Sequence, residues 1–199
     1  MQGVEYAFVR LVEVGRLLPH EEFVPSRARE VARSILRLGA VLRPILVEAN
    51  TYVVLDGAHR LAALRMLGAR YAPAILVDYA SVGLGGWLRV YGAGALRDAR
   101  DLLPVARAYR LGGALALELE GEDSYAAVRA LERLGHRLLA ALPPGSVPPP
   151  NALVVIPPRP TRELVLRAAM GGEPLPPKST RHLTPLKNVY SPVPLSELL

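Results

Sequence analysis

Along this chain, short β-branched runs alternate with stretches in which apolar residues recur at helical spacing. The clearest junction between the two spans residues 52–68. Tyr52-Val53-Val54-Leu55 reads as a buried strand. Asp56-Gly57-Ala58-His59-Arg60 follows, and then Leu61, Leu64 and Met66/Leu67 predict one face of a helix that Gly68 ends. A strand that turns through Asp-Gly into a helix leaves backbone N–H groups unpaired at the helix start. These favour an anion, most often a phosphate. His59 and Arg60 sit on that first turn, and the arginine fork suits phosphate or carboxylate. Asp56 is placed to hold a hydroxyl or a magnesium ion. The plainer alternative is that Asp56 caps the helix and the basic pair is solvated.

The same patterns extend in both directions. Tyr6-Ala7-Phe8-Val9-Arg10-Leu11 predicts a first strand. Leu17-Leu18-Pro19-His20-Glu21-Glu22 predicts a mobile, accessible loop, because proline cannot continue a ladder in a central strand. Pro25 to Leu38 predicts a helix containing Ser34, with Ser26 as N-cap and Gly39 as the stop. Its apolar stripe is Ala28, Val31, Ala32, Ile35 and Leu38. Pro44 to Glu48 and Tyr52 to Leu55 predict a hairpin that delivers the chain to Asp56, and Pro73 to Tyr79 a further strand. Residues 1–80 thus make a small mixed sheet with two helices, a domain by size.

Ala80 to Gly94 is rich in glycine and holds the single tryptophan, Trp87, a residue type usually explained by packing. Asp98 to Tyr109 predicts a helix and Ala114 to Leu119 a strand. Asp123 or Ser124 caps a helix expected to run to Leu142, with His136 a structural or surface histidine. The proline-rich stretch 143–150 is a stiff connector, and Ala152 to Ile156 a last apolar strand. Pro160-Thr161-Arg162-Glu163 opens a helix that Gly171-Gly172 stops. Pro176-Pro177-Lys178-Ser179-Thr180-Arg181-His182 then forms a proline-stiffened loop whose hydroxyls, guanidinium and imidazole suit a phosphate. Its alternative is a weakly ordered basic segment near the terminus. The expected class is α/β, a mixed sheet with helices, with an N-terminal domain over 1–80 and a C-terminal α/β domain over 81–199.

Composition narrows the chemistry. The 199 residues are 51% hydrophobic, enough for one substantial core or two small ones. A cysteine count of 0 excludes disulfides, thiolate metal sites and cysteine nucleophiles. No apolar run is long enough to span a bilayer, and Glu5, Arg10 and Glu13 interrupt the stretch where a signal peptide needs an apolar core. A cytoplasmic protein without a membrane partner is expected. The formal net charge of +6 would fit nucleic acid, but the arginines are spread along the chain and form no dense basic tract. The only lysines are Lys178 and Lys187. Charge alone therefore decides little; with no clear helix-turn-helix signal after the first domain, nucleic acid is not expected as a partner. Abundant proline with scarce Asn and Gln is compatible with a thermophile protein. No GxxxxGK[ST] loop occurs, so this is not a P-loop kinase.

Three of the four histidines, His20, His59 and His182, lie in the three segments just singled out, each with a hydroxyl, carboxylate or arginine nearby. One site assembled from three loops is the simplest physical account. At Pro19-His20-Glu21, Asp56-Gly57-Ala58-His59-Arg60 and Pro177-Lys178-Ser179-Thr180-Arg181-His182, the chain resembles the free L-serine kinases of the ParB/sulfiredoxin-like superfamily. Ser34 and Arg43-Pro44 fit the spacing, and the resemblance covers nearly the full length. It implies a ParB/sulfiredoxin-like first domain and phosphorylation of free serine to O-phospho-L-serine, with ADP or ATP as donor and Mg2+ present. The product would supply cysteine biosynthesis.

The resemblance also implies roles for residues. Glu21 would be the general base, and Asp56 would orient serine or the magnesium ion. Ser34 would sit near the nucleotide, with Gly57, His59 and Arg60 on its phosphates. His20, Trp87, Ser179, Thr180, Arg181 and His182 would contact the substrate or the transferred phosphoryl group. One departure stands out: those kinases carry a second histidine where this chain has Ala58, which bears on the donor more than on the reaction. Rival readings fit less well. A partition or nuclease-like ParB protein would carry a helix-turn-helix after the first domain and an arginine pair in the phosphate turn. A sulfiredoxin needs a cysteine where Ala58 stands. Glu21 speaks against a non-catalytic nucleotide sensor on the same fold, while Ala58 keeps that reading open.

Overall fold

Strands form where the β-branched runs lie. The computed structural model describes residues 9–199, so Tyr6, Ala7 and Phe8 of the expected first strand lie outside the described residues. The chain opens with β1 (Val9–Glu13), β2 (Leu18–Pro19), α1 (Pro25–Leu38) and β3 (Ala40–Val41). It continues through β4 (Ile45–Glu48), β5 (Val53–Asp56), α2 (Ala58–Met66) and β6 (Tyr71–Val77). Five of these strands make a mixed sheet in the order β1-β6-β4-β5-β2. The central strands β4 and β5 are antiparallel, as the hairpin reading expects, and buried along nearly their whole length. The runs Ile45-Leu46-Val47 and Val53-Val54-Leu55 within them reflect that burial. Pro19 falls on the edge strand β2, the place where a residue without an N–H does least harm.

Helix α1 has the predicted bounds and ends at Gly39 in the left-handed conformation, φ 65°. Its start differs from expectation. Val24 occupies the N-cap without a side-chain bond, and Pro25 fills the first turn, so Ser26 is not the cap. The same holds at α2, where Gly57 rather than Asp56 stands at the N-cap, with φ 104°. Ile35, Ile45, Val47, Val54, Leu61 and Leu64 form the core between helices and sheet.

The second stretch contains β7 (Gly83–Gly85), β8 (Leu88–Tyr91), α3 (Leu96–Leu102), β9 (Val105–Leu111) and β10 (Ala114–Leu119). Then come α4 (Ser124–Arg133), β11 (Ala140–Leu142) and β12 (Leu153–Ile156). A second five-stranded sheet has the order β11-β8-β12-β10-β9. Two expectations fail here. The helix predicted over Asp98 to Tyr109 stops at Leu102, because Pro104 forces Leu103 into an extended conformation and Val105 onward joins the sheet edge. The helix predicted to reach Leu142 ends at Arg133, Gly135 turns the chain at φ 97°, and Ala140–Leu142 pairs with β8.

The chain closes with α5 (Arg162–Met170), β13 (Arg181–Leu183) and β14 (Val193–Pro194). β14 pairs with β3, and Leu198 is fully buried, its carbonyl accepting from the N–H groups of Arg70 and Tyr71. Among the described residues, one compact unit comprises the chain up to Gly83 together with Arg162–Pro177 and His182–Leu199. The other comprises Leu84–Thr161 and Lys178–Arg181. The division into 1–80 and 81–199 follows the chain, whereas the last segments rejoin the first unit through pairings that local pattern does not report.

Candidate functional site

In the first unit, the segment after β2 is held on both sides rather than mobile. On one side Leu18 and Pro19 pair with Val53 and Val54. On the other, the N–H of Leu175 donates to the His20 carbonyl and that of Glu22 to the Leu175 carbonyl, both at 2.8 Å. The buried His20 ring donates from Nδ1 to the Val54 carbonyl at 2.6 Å. That leaves its Nε2 facing Glu21, 3.7 Å from Oε1. The loop reading of this segment is thus corrected: ladder bonds hold its backbone, the Val54 carbonyl holds the His20 ring, and the Glu21 carboxylate lies beside that ring.

His182 packs edge-on against His20, with ring centroids 5.2 Å apart. The Tyr79 hydroxyl meets His182 Nε2 at 2.8 Å. Burial, then the neighbouring His20 and Lys187, push the His182 pKa down to about 3, against a hydrogen bond to the backbone of Leu55. The ring is therefore neutral at pH 7, with Nε2 accepting from Tyr79. His20 and His182 accordingly bind the backbone of consecutive residues, Val54 and Leu55, in the strand that ends at Asp56.

At the end of that strand, Asp56 carries two cations. Arg60 Nη2 donates to Oδ2 at 2.6 Å, and Lys187 Nζ lies 3.3 Å from Oδ1. Arg60 also spends Nη1 on the carbonyls of Arg43 and Pro44, so its fork braces the turn. The pairing rules out the alternative in which this basic residue is simply solvated. Gly57 has no substitute here: a Cβ would lie 2.1 Å from Ile45 Cγ2. His59 Nε2 accepts from the N–H of Val24 at 3.1 Å and so ties the starts of the two helices together. Ala58 is the first residue of α2. Ser34 is half-buried within α1.

A magnesium ion held by Asp56 does not fit these neighbours. Among the described residues no group of three or more His, Asp or Glu side chains is placed to hold a metal ion. Both oxygens of this carboxylate already face a cation, and a divalent ion would have to displace one of them.

In the second unit, Trp87 organises the loop 178–181. Its Nε1 donates to the Thr180 carbonyl at 2.7 Å, and the cations of Lys178 and Arg181 lie 5.6 and 5.3 Å from its ring. Ser179 and Thr180 are buried. Arg89, which sequence reasoning missed, donates from Nη1 to the Lys178 carbonyl at 2.9 Å; it is itself fully buried and also bonds the Tyr91 hydroxyl and the Glu132 carboxylate. Lys178 sits at φ 63°, a conformation that this carbonyl contact helps to hold. His136 pairs with Asp98 at 2.7 Å, the structural role expected for it. The signal for Arg89 was present: a charged residue inside the apolar run Leu88–Tyr91 needs buried partners. Lys187 could be singled out only as one of two lysines, and Tyr79 carried no signal at all.

Comparisons with known proteins agree with this architecture. The model of the ParB N-terminal domain matches residues 2–83. A ParB-like protein of Sulfolobus acidocaldarius is 32% identical over 183 residues, covering 84% of this chain and 86% of that one. An ADP-dependent L-serine kinase of Thermococcus kodakarensis is 28% identical, covering 98% and 93%. An ATP-dependent L-serine kinase of Desulfurococcus mucosus is 38% identical over 118 residues, or 55% of this chain. The chain spans less than half the length of that relative, 45%. The solved structure of a free serine kinase in complex with AMP superposes with a TM-score of 0.70 at 21% identity, covering 96% of this chain and 93% of the other.

Proposed function

This chain belongs to the ParB-like protein family, and within it we propose a kinase that phosphorylates the hydroxyl of free L-serine, giving O-phospho-L-serine, with ADP or ATP as donor. The observation that carries the reading is the pair His20 and Glu21 just after β2, its backbone bonded to Leu175 and its histidine bonded to Val54 in the strand that leads to the Gly57 turn. A carboxylate held in place next to a phosphate-type turn is what hydroxyl activation requires. The near full-length similarity to an ADP-dependent L-serine kinase supports the same substrate.

In this reading Glu21 takes the proton from the serine hydroxyl. The serine oxygen then bonds to the terminal phosphorus as the bond to the leaving nucleotide breaks. Backbone N–H groups of the turn at Gly57 hold the phosphates, with His59 beside them, and Arg60 keeps the turn in shape. Ser34 lies towards the nucleotide. Ser179, Thr180 and Arg181, ordered by Trp87, are the groups proposed for the phosphate. His20 and His182 contribute by fixing the strand that presents Asp56.

The test is phosphoserine formation from free L-serine, with ADP and ATP supplied separately and the Glu21→Gln variant alongside. Product with one donor, reduced at least about 100-fold in the variant, supports the reading. No product with either donor from folded protein sinks it. Retention on duplex DNA with a steep salt dependence would instead favour a nucleic-acid-binding ParB-like protein.

A further inference from the structure

Two cations share one carboxylate beside the Gly57 turn, and they are held in different ways. Arg60 grips Asp56 and two backbone carbonyls, those of Arg43 and Pro44, and cannot leave without opening the turn. Lys187 stands on the short 3-10 turn Pro185–Asn188 with a side chain 29% exposed. Its partners are Asp56 Oδ1 at 3.3 Å and the His182 carbonyl at 3.0 Å. An ammonium on a flexible stem re-aims readily, unlike a guanidinium locked in a fork.

Charge points the same way. One carboxylate against two cations leaves positive charge to spare, and a divalent ion at Asp56 would add to it. An incoming phosphate is what that excess attracts, and lysine serves such a group as a point charge without demanding fork geometry.

From this arrangement we infer that Lys187 is a phosphoryl-contacting residue, stored on Asp56 and turned to the terminal phosphate of the nucleotide when it binds. Asp56 then positions this lysine rather than holding magnesium. The inference rests on the kinase reading for the phosphate it names. During transfer Glu21 receives the serine proton, the serine O–P bond forms and the bond to the leaving nucleotide breaks. Lys187 stays protonated throughout and offsets charge on the phosphoryl oxygens and the leaving oxygen.

The experiment compares nucleotide affinities by calorimetry in the full chain and in Lys187→Met. The ADP/AMP and ATP/ADP affinity ratios each isolate one terminal phosphate. One of the two ratios should shrink at least tenfold in the variant while AMP affinity changes less than twofold, and Lys187→Arg should recover part of the loss. Both ratios unchanged, in protein of normal melting temperature, overturn the inference. Lys187→Gln serves if Lys187→Met does not fold. For Asp56, electron paramagnetic resonance of Mn2+ with nucleotide-free protein should show no stoichiometric binding. Stoichiometric Mn2+ that Asp56→Asn removes would overturn the positioning role. Because the affinity ratios need no turnover, a wild type that makes no phosphoserine would sink the kinase reading and leave Lys187 to be decided by binding.

Discussion

The Tyr79 hydroxyl donates to Nε2 of His182 at 2.8 Å, and this bond fixes the neutral form of a ring that is only 3% exposed. Burial first, and then His20 and Lys187, lower the His182 pKa from 6.5 to about 3. The unfolded chain therefore takes up a proton below pH 6.5 that the folded chain refuses until about pH 3. Stability from this residue is fully present above pH 6.5 and drains away as the pH falls through that window. The slope amounts to about 1.4 kcal/mol per pH unit. Urea unfolding between pH 7 and pH 4 should show a shallower loss in His182→Gln than in wild type. Identical slopes would mean that the ring is charged in the fold.

Removing the other partner tests the same contact from its far side. Tyr79→Phe leaves Nε2 of a buried imidazole without its donor. The expected loss is about 1–3 kcal/mol at pH 7, the cost of an unsatisfied buried group. It should come with a raised His182 pKa, read by the 1H–15N shifts of the ring. A variant as stable as wild type would show that water replaces the hydroxyl.

Gly57 meets two constraints at once. Its φ of 104° disfavours any side chain, and a Cβ would lie 2.1 Å from Ile45 Cγ2 in the buried strand β4. Gly57→Ala should therefore cost roughly 1–3 kcal/mol from overpacking alone, with the left-handed penalty added. Thermal unfolding checks this. If the turn holds the nucleotide as proposed, nucleotide affinity should fall as well, since the turn cannot keep its shape. Unchanged melting temperature would mean that the turn relaxes at no cost.

The fold was legible wherever burial follows a local period. Helix α1, the hairpin of β4 and β5, and the strand β10 sit where the pattern places them. The pattern fails where a distant partner decides. Val105–Leu111 is strand because Pro104 breaks the helix and the β10 edge is open, and Ala140–Leu142 is strand because β8 accepts it. The candidate segments were picked out by residue type, but their engagement was not legible. Nothing in Pro19-His20-Glu21 shows that Leu175 holds its backbone, and nothing near Asp56 shows that Lys187 reaches it. Those contacts join residues more than a hundred positions apart, which one sequence cannot report.

Arg89 provides the sharpest test of how the loop at Lys178 is held. Its guanidinium is fully buried and satisfied by Glu132, Tyr91 and the Lys178 carbonyl. Arg89→Met leaves the Glu132 carboxylate half-buried beside a hydroxyl and frees the loop backbone. Breaking one side of such a pair costs about 3–5 kcal/mol, whereas replacing both sides by apolar groups is often close to neutral. Urea unfolding should accordingly place Arg89→Met far below wild type and the double variant Arg89→Met with Glu132→Leu most of the way back. Loop order should not return with it, because the Arg89 bond to the Lys178 carbonyl is still missing. Trp87 fluorescence reads this directly, since its indole N–H bonds the same loop at Thr180. A double variant with native fluorescence would show that Trp87 alone holds the loop. A double variant that regains stability but keeps altered fluorescence assigns the loop to Arg89.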